Sequence, residues 1–351
     1  MSSLKYLFLF AVGFGVMATL VRPRIPWPTE YGLQAKWEYF SRNHEQYDAV
    51  FLGTSRVFRG IDTPLFDEEL AKHGVELSTF NFGVAGMRAF EQDFVLQQLL
   101  ALESERLRYV FIEGGPWSPR FKHPALTFSS RSVFWHTPAQ TQKVLDSALR
   151  LDGPWSERLR LAATHFELFL RKFSSYGQGR TLAKEVFRDG PEEEKYERTL
   201  AFLGRQKGYQ SADQHTGRSI MQGREELLVA GPARDAYLER IGRLPAEREQ
   251  RVDPERLPRR GVRSQRELAA RHGVTLVYVV QPGDEAETQQ LQLHEEGESE
   301  RLLDYNRPDR YPDLFALENR YDEKHLNQRG AEAFTRTLAA DLARLLGAGE
   351  L

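Results

Sequence analysis

The feature that most constrains this chain is a series of short apolar runs closed by glycine, separated by segments with helical signals. Residues 49–52 end at Gly53, 75–82 at Gly83, 108–113 at Gly114-Gly115, and 274–280 at Gln281-Pro282-Gly283. Runs this short and this continuously apolar read as strands buried on both faces. The intervening segments read as helices. Thr63 followed by Pro64 predicts an N-cap and first turn, with Gly74 as the stop. Over 88–104, Phe90, Phe94, Val95, Leu99 and Leu102 recur at helical spacing. A helix over 264–272 is expected to lead into the fourth strand. A short last strand is expected within 311–317, and an amphipathic helix over 329–346 closes the pattern.

The expected fold class is α/β: a flavodoxin-like, five-stranded parallel sheet with helices on both faces, a large mostly helical insertion and an N-terminal transmembrane helix. The sheet-forming pattern occupies 47–116 and 262–347. Between them, 117–261 has aromatics, leucines and many charges but no convincing strand, and reads as the helical insertion. Its Arg-rich stretch 256–263 reads as a solvated helix face rather than a patch for an anionic polymer. Residues 23–46 form a Pro- and Trp-containing linker and a lead-in helix over 32–46. Trp27 fits either a membrane interface or a place packed under the domain.

Residues 6–21 are uncharged and almost wholly apolar, flanked by Lys5, Arg22 and Arg24. A spanning helix takes roughly 20 apolar residues, ~17 near the lower limit, and this run falls at or just under it. An uncleaved anchor over 1–22 is the preferred reading, with a cleaved secretory signal and a buried core helix as rivals. The expected location is the inner (cytoplasmic) membrane, crossed once, with the main domain in the periplasm or another extracytoplasmic space. The chain has 48 basic and 50 acidic side chains among 351 residues, a balance that gives no reason to expect nucleic acid. It has no cysteine, which excludes disulfides, thiolate catalysis and cysteine-based zinc sites. His73, His136, His165 and His215 lack metal-ligand spacing, so neither metal nor cofactor is expected.

The candidate chemistry begins at the end of the first strand. Gly53-Thr54-Ser55-Arg56 delivers Ser55 to the C-terminal edge of the sheet, where open α/β sheets hold their sites. Far downstream, Asp322 and His325 are separated by two residues just before the last helix. That spacing lets the carboxylate hold the imidazole Nδ1–H while Nε2 points outward to accept a serine proton. Arg56 is read as a loop-anchoring salt-bridge partner or a contact for an anionic substrate group. Asn81 either donates to the site or caps the second helix. Glu113 reads as a buried, paired acid.

These residues resemble the SGNH hydrolase superfamily of GDSL-like esterases and acyltransferases. Gly53-Thr54-Ser55 is similar to its first block, Asn81-Phe82-Gly83 to its second, and Asp322-x-x-His325 with Leu326-Asn327 to its last. The resemblance implies Ser55, His325 and Asp322 as catalytic residues and the N–H groups of Ser55 and Gly83 as oxyanion donors, with Asn81 and Arg56 near the substrate. The third block, usually Gly-x-Asn-Asp, is replaced by Glu113-Gly114-Gly115-Pro116-Trp117, which has no Asn. With its N-terminal anchor the chain looks like the branch of extracytoplasmic proteins that O-acylate cell-surface polysaccharides, such as those of alginate acetylation and teichoic acid D-alanyl transfer. That implies a polysaccharide or acyl-ester substrate and a multi-spanning membrane acyltransferase as partner. The rival functions are hydrolysis by an SGNH-type esterase and a non-catalytic scaffold of envelope polysaccharide assembly.

Overall fold

The computed structural model describes residues 2–21, 25–121, 126–175, 179, 190–214 and 218–351. The chain divides into two compact units, residues 1–38 with 118–199 and residues 39–117 with 200–351. The expected insertion over 117–261 is thus shared between them. Its described residues form helices joined by turns and loops, with no strand among them.

The larger unit is built on a five-stranded sheet in the order β2-β1-β3-β4-β5. Its strands are β1 (Ala49–Gly53), β2 (Thr79–Gly83), β3 (Tyr109–Glu113), β4 (Thr275–Val280) and β5 (Leu302–Asp304), every adjacent pair parallel. Side chains alternate between faces along a strand, so strands without exposed residues need cover on both sides. On one face Ala49, Phe51, Phe111, Val277 and Val279 join a core with Phe66 and Leu70 of the helix Thr63–Lys72 and Phe334, Leu338 and Leu342 of the helix Gln328–Gly347. Phe51 stacks on Phe111 at 4.7 Å and meets Phe66 edge-on at 5.0 Å. On the other, Val50, Leu52, Phe80, Phe82, Val110 and Ile112 are buried, and Phe40 packs against Phe80 and Phe82. Replacing Phe51 by alanine is expected to lower the unfolding free energy by about 3–5 kcal/mol, read from urea denaturation.

Several elements differ from the sequence reading, among them β2, which begins at Thr79 rather than Val75, and the helix before β4, which begins at Arg259 rather than Ser264. The last strand is not within 311–317: β5 is Leu302–Asp304, while Pro312–Leu314 and Leu317–Asn319 are short 3-10 turns. Residues 311–317 are apolar because Leu314 and Phe315 fill the core beneath the last helix, a burial that requires no ladder. The cap of the helix Thr63–Lys72 is Asp62 rather than Thr63; its carboxylate accepts the Leu65 N–H at 3.2 Å.

The smaller unit is helical. Trp27 stacks on Trp37 at 4.2 Å, which settles its place as packed. Its helices Pro138–Leu149 and Trp155–Ser174 bury Val144, Ala148, Leu161 and Leu168. His136 and His165 meet inside it, Nε2 to Nδ1, at 2.9 Å, with their outer nitrogens on the carbonyls of Ser132 and Pro119. The apolar N-terminal run forms the helix Ser2–Val21, on which Phe8 and Phe10 stay 67% and 70% exposed. No helix among the described residues is long and apolar enough to cross a membrane. The expected anchor over 1–22 includes Met1 and Arg22, which lie outside the described residues, as do Pro23 and Arg24 of the linker.

Candidate active site

The strand order turns at β1 and β3: the chain leaves β1 for β2 on one side, then returns to build β3, β4 and β5 on the other. Side chains at the C-terminal ends of β1 and β3 therefore stand at the switch point where α/β sheets hold ligands. Ser55 lies at the first of these ends and Glu113 at the second.

Ser55 opens a short helix, Ser55–Gly60, capped by Thr54, whose side chain accepts the Arg56 N–H at 3.1 Å. Glu113 holds this turn from the neighbouring strand. Its carboxylate accepts the Thr54 N–H at 2.5 Å, the Thr54 hydroxyl at 3.1 Å and Arg56 Nε at 2.6 Å. Arg56 Nη2 reaches on to Glu287 at 2.8 Å. Burial alone would lower the Arg56 guanidinium, but the two carboxylates more than reverse it. Burial, against the pull of Arg56, leaves Glu287 above the ordinary carboxyl value. Arg56 is therefore the loop anchor, not a free substrate contact. Glu113→Gln keeps an acceptor for Thr54 but removes one partner of a buried ion pair. It is expected to cost about 3 kcal/mol, seen in urea denaturation, and to slow capture of Ser55 by a phosphonate.

The acid and base come from one turn. Arg320 and Leu326 form an antiparallel bridge, and Tyr321 N–H donates to the His325 carbonyl at 2.9 Å. Asp322 Oδ1 accepts the backbone N–H groups of Lys324 and His325, both at 2.8 Å. Both carboxylate oxygens lie 2.8 Å from His325 Nδ1. A carboxylate only accepts, so Nδ1 carries the proton and neutral His325 presents a lone pair on Nε2. That nitrogen lies 2.8 Å from Ser55 Oγ. Burial pushes Asp322 up, but the His325 ring and the two N–H donors outweigh it and hold the carboxyl below its ordinary value. Its stabilising contribution is thus present above the unfolded value of about 3.8 and is lost as pH falls through the lower folded value. Beneath the turn, fully buried Arg320 donates to the Glu323 carbonyl at 2.7 Å and sits over the Tyr237 ring.

Two sequence expectations are corrected. The Gly83 N–H donates to Asn81 Oδ1 at 2.9 Å, so it is not offered to an oxyanion. Gly83 is needed for packing: a Cβ there would come within 2.3 Å of Phe58 N. Asn81 neither faces the site nor caps the second helix. It is fully buried, and its Nδ2 donates to the carbonyls of Val57 and Ile61 at 2.7 and 2.8 Å, fastening the Ser55 helix to β2. A glycine that the sequence reading passed over, Gly86, follows β2. It lies at the third position of the turn Val84–Met87, closed by Met87 N–H to the Val84 carbonyl at 3.0 Å, with φ of +72°. That geometry suits a type II turn, which favours glycine there. Among the described residues, no hydrogen bond engages the N–H of either Ser55 or Gly86.

No group of three or more His, Asp or Glu among the described residues is placed to hold a metal ion. No family model matches the chain, and no curated protein matches it.

Proposed function

We propose that the chain is a serine-dependent acyl-transfer enzyme of the SGNH hydrolase kind. The observation that carries this reading is the unbroken relay Asp322–His325–Ser55, with 2.8 Å at each link. Ser55 Oγ attacks the acyl carbonyl as its proton passes to His325 Nε2, and Asp322 stabilises the imidazolium. The N–H groups of Ser55 and Gly86 receive the oxyanion. Collapse expels the donor alcohol, which takes the proton from His325 and leaves an ester on Ser55. A sugar hydroxyl, deprotonated by His325, then attacks that ester and frees Ser55. Water in place of the sugar makes the same site an esterase. The intact relay favours both enzyme readings over a non-catalytic scaffold.

The exposed apolar side chains of the helix Ser2–Val21 support an anchor in the inner membrane, since hydrocarbon would cover the surface that Phe8 and Phe10 leave open. The catalytic unit then works on the extracytoplasmic side, on a cell-surface polysaccharide, taking acyl groups from a multi-spanning membrane acyltransferase. The test is acyl transfer from an aryl ester to oligosaccharides by the full chain, with released acid measured alongside. Acylated sugar supports the transferase, free acid alone supports the esterase, and neither product contradicts both.

A further inference from the structure

The turn that carries Asp322 and His325 has a second support, and it comes from the inserted helices. Glu323 follows Asp322 directly. Arg240, on the helix Pro232–Arg248, brings Nη2 to 2.6 Å from Glu323 Oε2 and Nε to 3.5 Å from Asp284 Oδ2. From beneath, Arg320 Nη2 donates to the Glu323 carbonyl at 2.7 Å. One residue of the turn is thus held at its side chain by one guanidinium and at its backbone by another.

Arg320 is fully buried, yet among the described residues no carboxylate pairs with it. Its other contacts are the Leu314 carbonyl, 3.4 Å from Nη1, and the Tyr237 ring, whose centroid lies 5.8 Å from Cζ; its Nε has no partner among the described residues. A guanidinium taken out of water without a carboxylate is a cost to the fold. An apolar side chain of similar length would fill the space without it. What the guanidinium supplies is direction. It fixes the Glu323 carbonyl, and the backbone bridge from Arg320 to Leu326 fixes both ends of the turn to the same residue. Tyr237 stands on the same helix as Arg240, and its hydroxyl donates to the Phe315 carbonyl at 2.8 Å. The helix Pro232–Arg248 therefore reaches the turn twice, through Tyr237 under Arg320 and through Arg240 on Glu323.

Resting on the acyl-transfer reading of this site, we propose that Arg240 and Arg320 are positioning residues: they clamp Glu323 and so hold His325 Nε2 on Ser55 Oγ. The helix Pro232–Arg248 is then part of the apparatus that sets the rate. A misplacement of reacting groups by about 1 Å can cost ~10²-fold, so a turn tied at one end only would be slow without being unfolded.

The test uses the full chain, with kcat and KM measured on an aryl ester and denaturant midpoints taken on the same preparations. Arg240→Met should lower kcat about 10-fold and Arg320→Met about 100-fold, with KM within about twofold of wild type. Arg240 is half-buried and Arg320 fully so, which makes Arg240→Met the deciding variant if Arg320→Met does not fold. Arg240→Lys returns a cation to Glu323 and should recover part of the loss. A kcat for Arg240→Met within about twofold of wild type, or a loss in KM alone, overturns the proposal. So do additive losses in Arg240→Met/Glu323→Gln, because two residues acting through one contact should cost together little more than the slower single variant. A readout free of serine chemistry is the His325 Nδ1–H resonance in Ser55→Ala. With Arg240→Met added it should exchange faster with water while the denaturant midpoint stays in place. Faster exchange in a protein that turns over no ester supports the positioning role and counts against the acyl-transfer reading; unchanged exchange overturns the positioning role whatever Ser55 does.

Discussion

Replacing Ser55 by alanine is expected to abolish covalent capture by a serine-reactive phosphonate and to reduce acyl-ester turnover on the order of 10⁶-fold, the loss seen when a triad nucleophile is removed. The stability of the variant should change little. Ser55 is half-buried, and among the described residues its hydroxyl has one partner, His325. His325→Ala should cost a similar factor, and the double variant little more than either alone, because the two groups act as one unit. Strict additivity would mean that they do not share a step. The measurement is initial rates on an aryl ester, with denaturant midpoints taken on the same preparations.

The second large effect is expected at Asp322. Asp322→Asn keeps the size of the side chain but offers an amide where His325 Nδ1–H needs an acceptor. The ring is then free to carry its proton on Nε2, where it cannot accept from Ser55. The same change in a serine protease triad lowers kcat by about 10⁴. A comparable drop is expected here, with KM nearly unchanged, because Asp322 bonds to His325 and the turn rather than to substrate. The amide oxygen can still accept the N–H groups of Lys324 and His325, so the turn should survive. A loss of less than about tenfold would show that His325 is oriented by something else, in contrast to the coupling expected of a triad.

How much of this was legible in the sequence depended on how local the cause was. β1, β3 and β4 were legible because a parallel strand buried on both faces leaves a continuous apolar run, and glycine marks where it ends. Asp322 and His325 were legible because a three-residue spacing in a turn suffices to join them. β5 was not: it is a three-residue edge strand with half-buried side chains and no apolar run. The apolar stretch nearby belonged to a loop whose Leu314 and Phe315 fill the core, and burial without a ladder looks like a strand in sequence. The hydrogen bonding at the end of β2 was not legible: only the fold-back of the Asn81 side chain decides that the N–H of Gly83 is taken. The Glu113–Arg56–Glu287 clamp joins residues 57 and 231 positions apart, a separation at which charges carry no pairing signal.

Ser55 is proposed as a nucleophile activated by His325. Its most direct test is intact-protein and peptide mass analysis after treatment with a fluorophosphonate, run on wild type, Ser55→Ala and His325→Ala. One adduct is expected on the wild-type peptide containing Ser55, none on Ser55→Ala, and strongly slowed labelling of His325→Ala. An unlabelled wild-type protein, or an adduct that persists in Ser55→Ala, would contradict it.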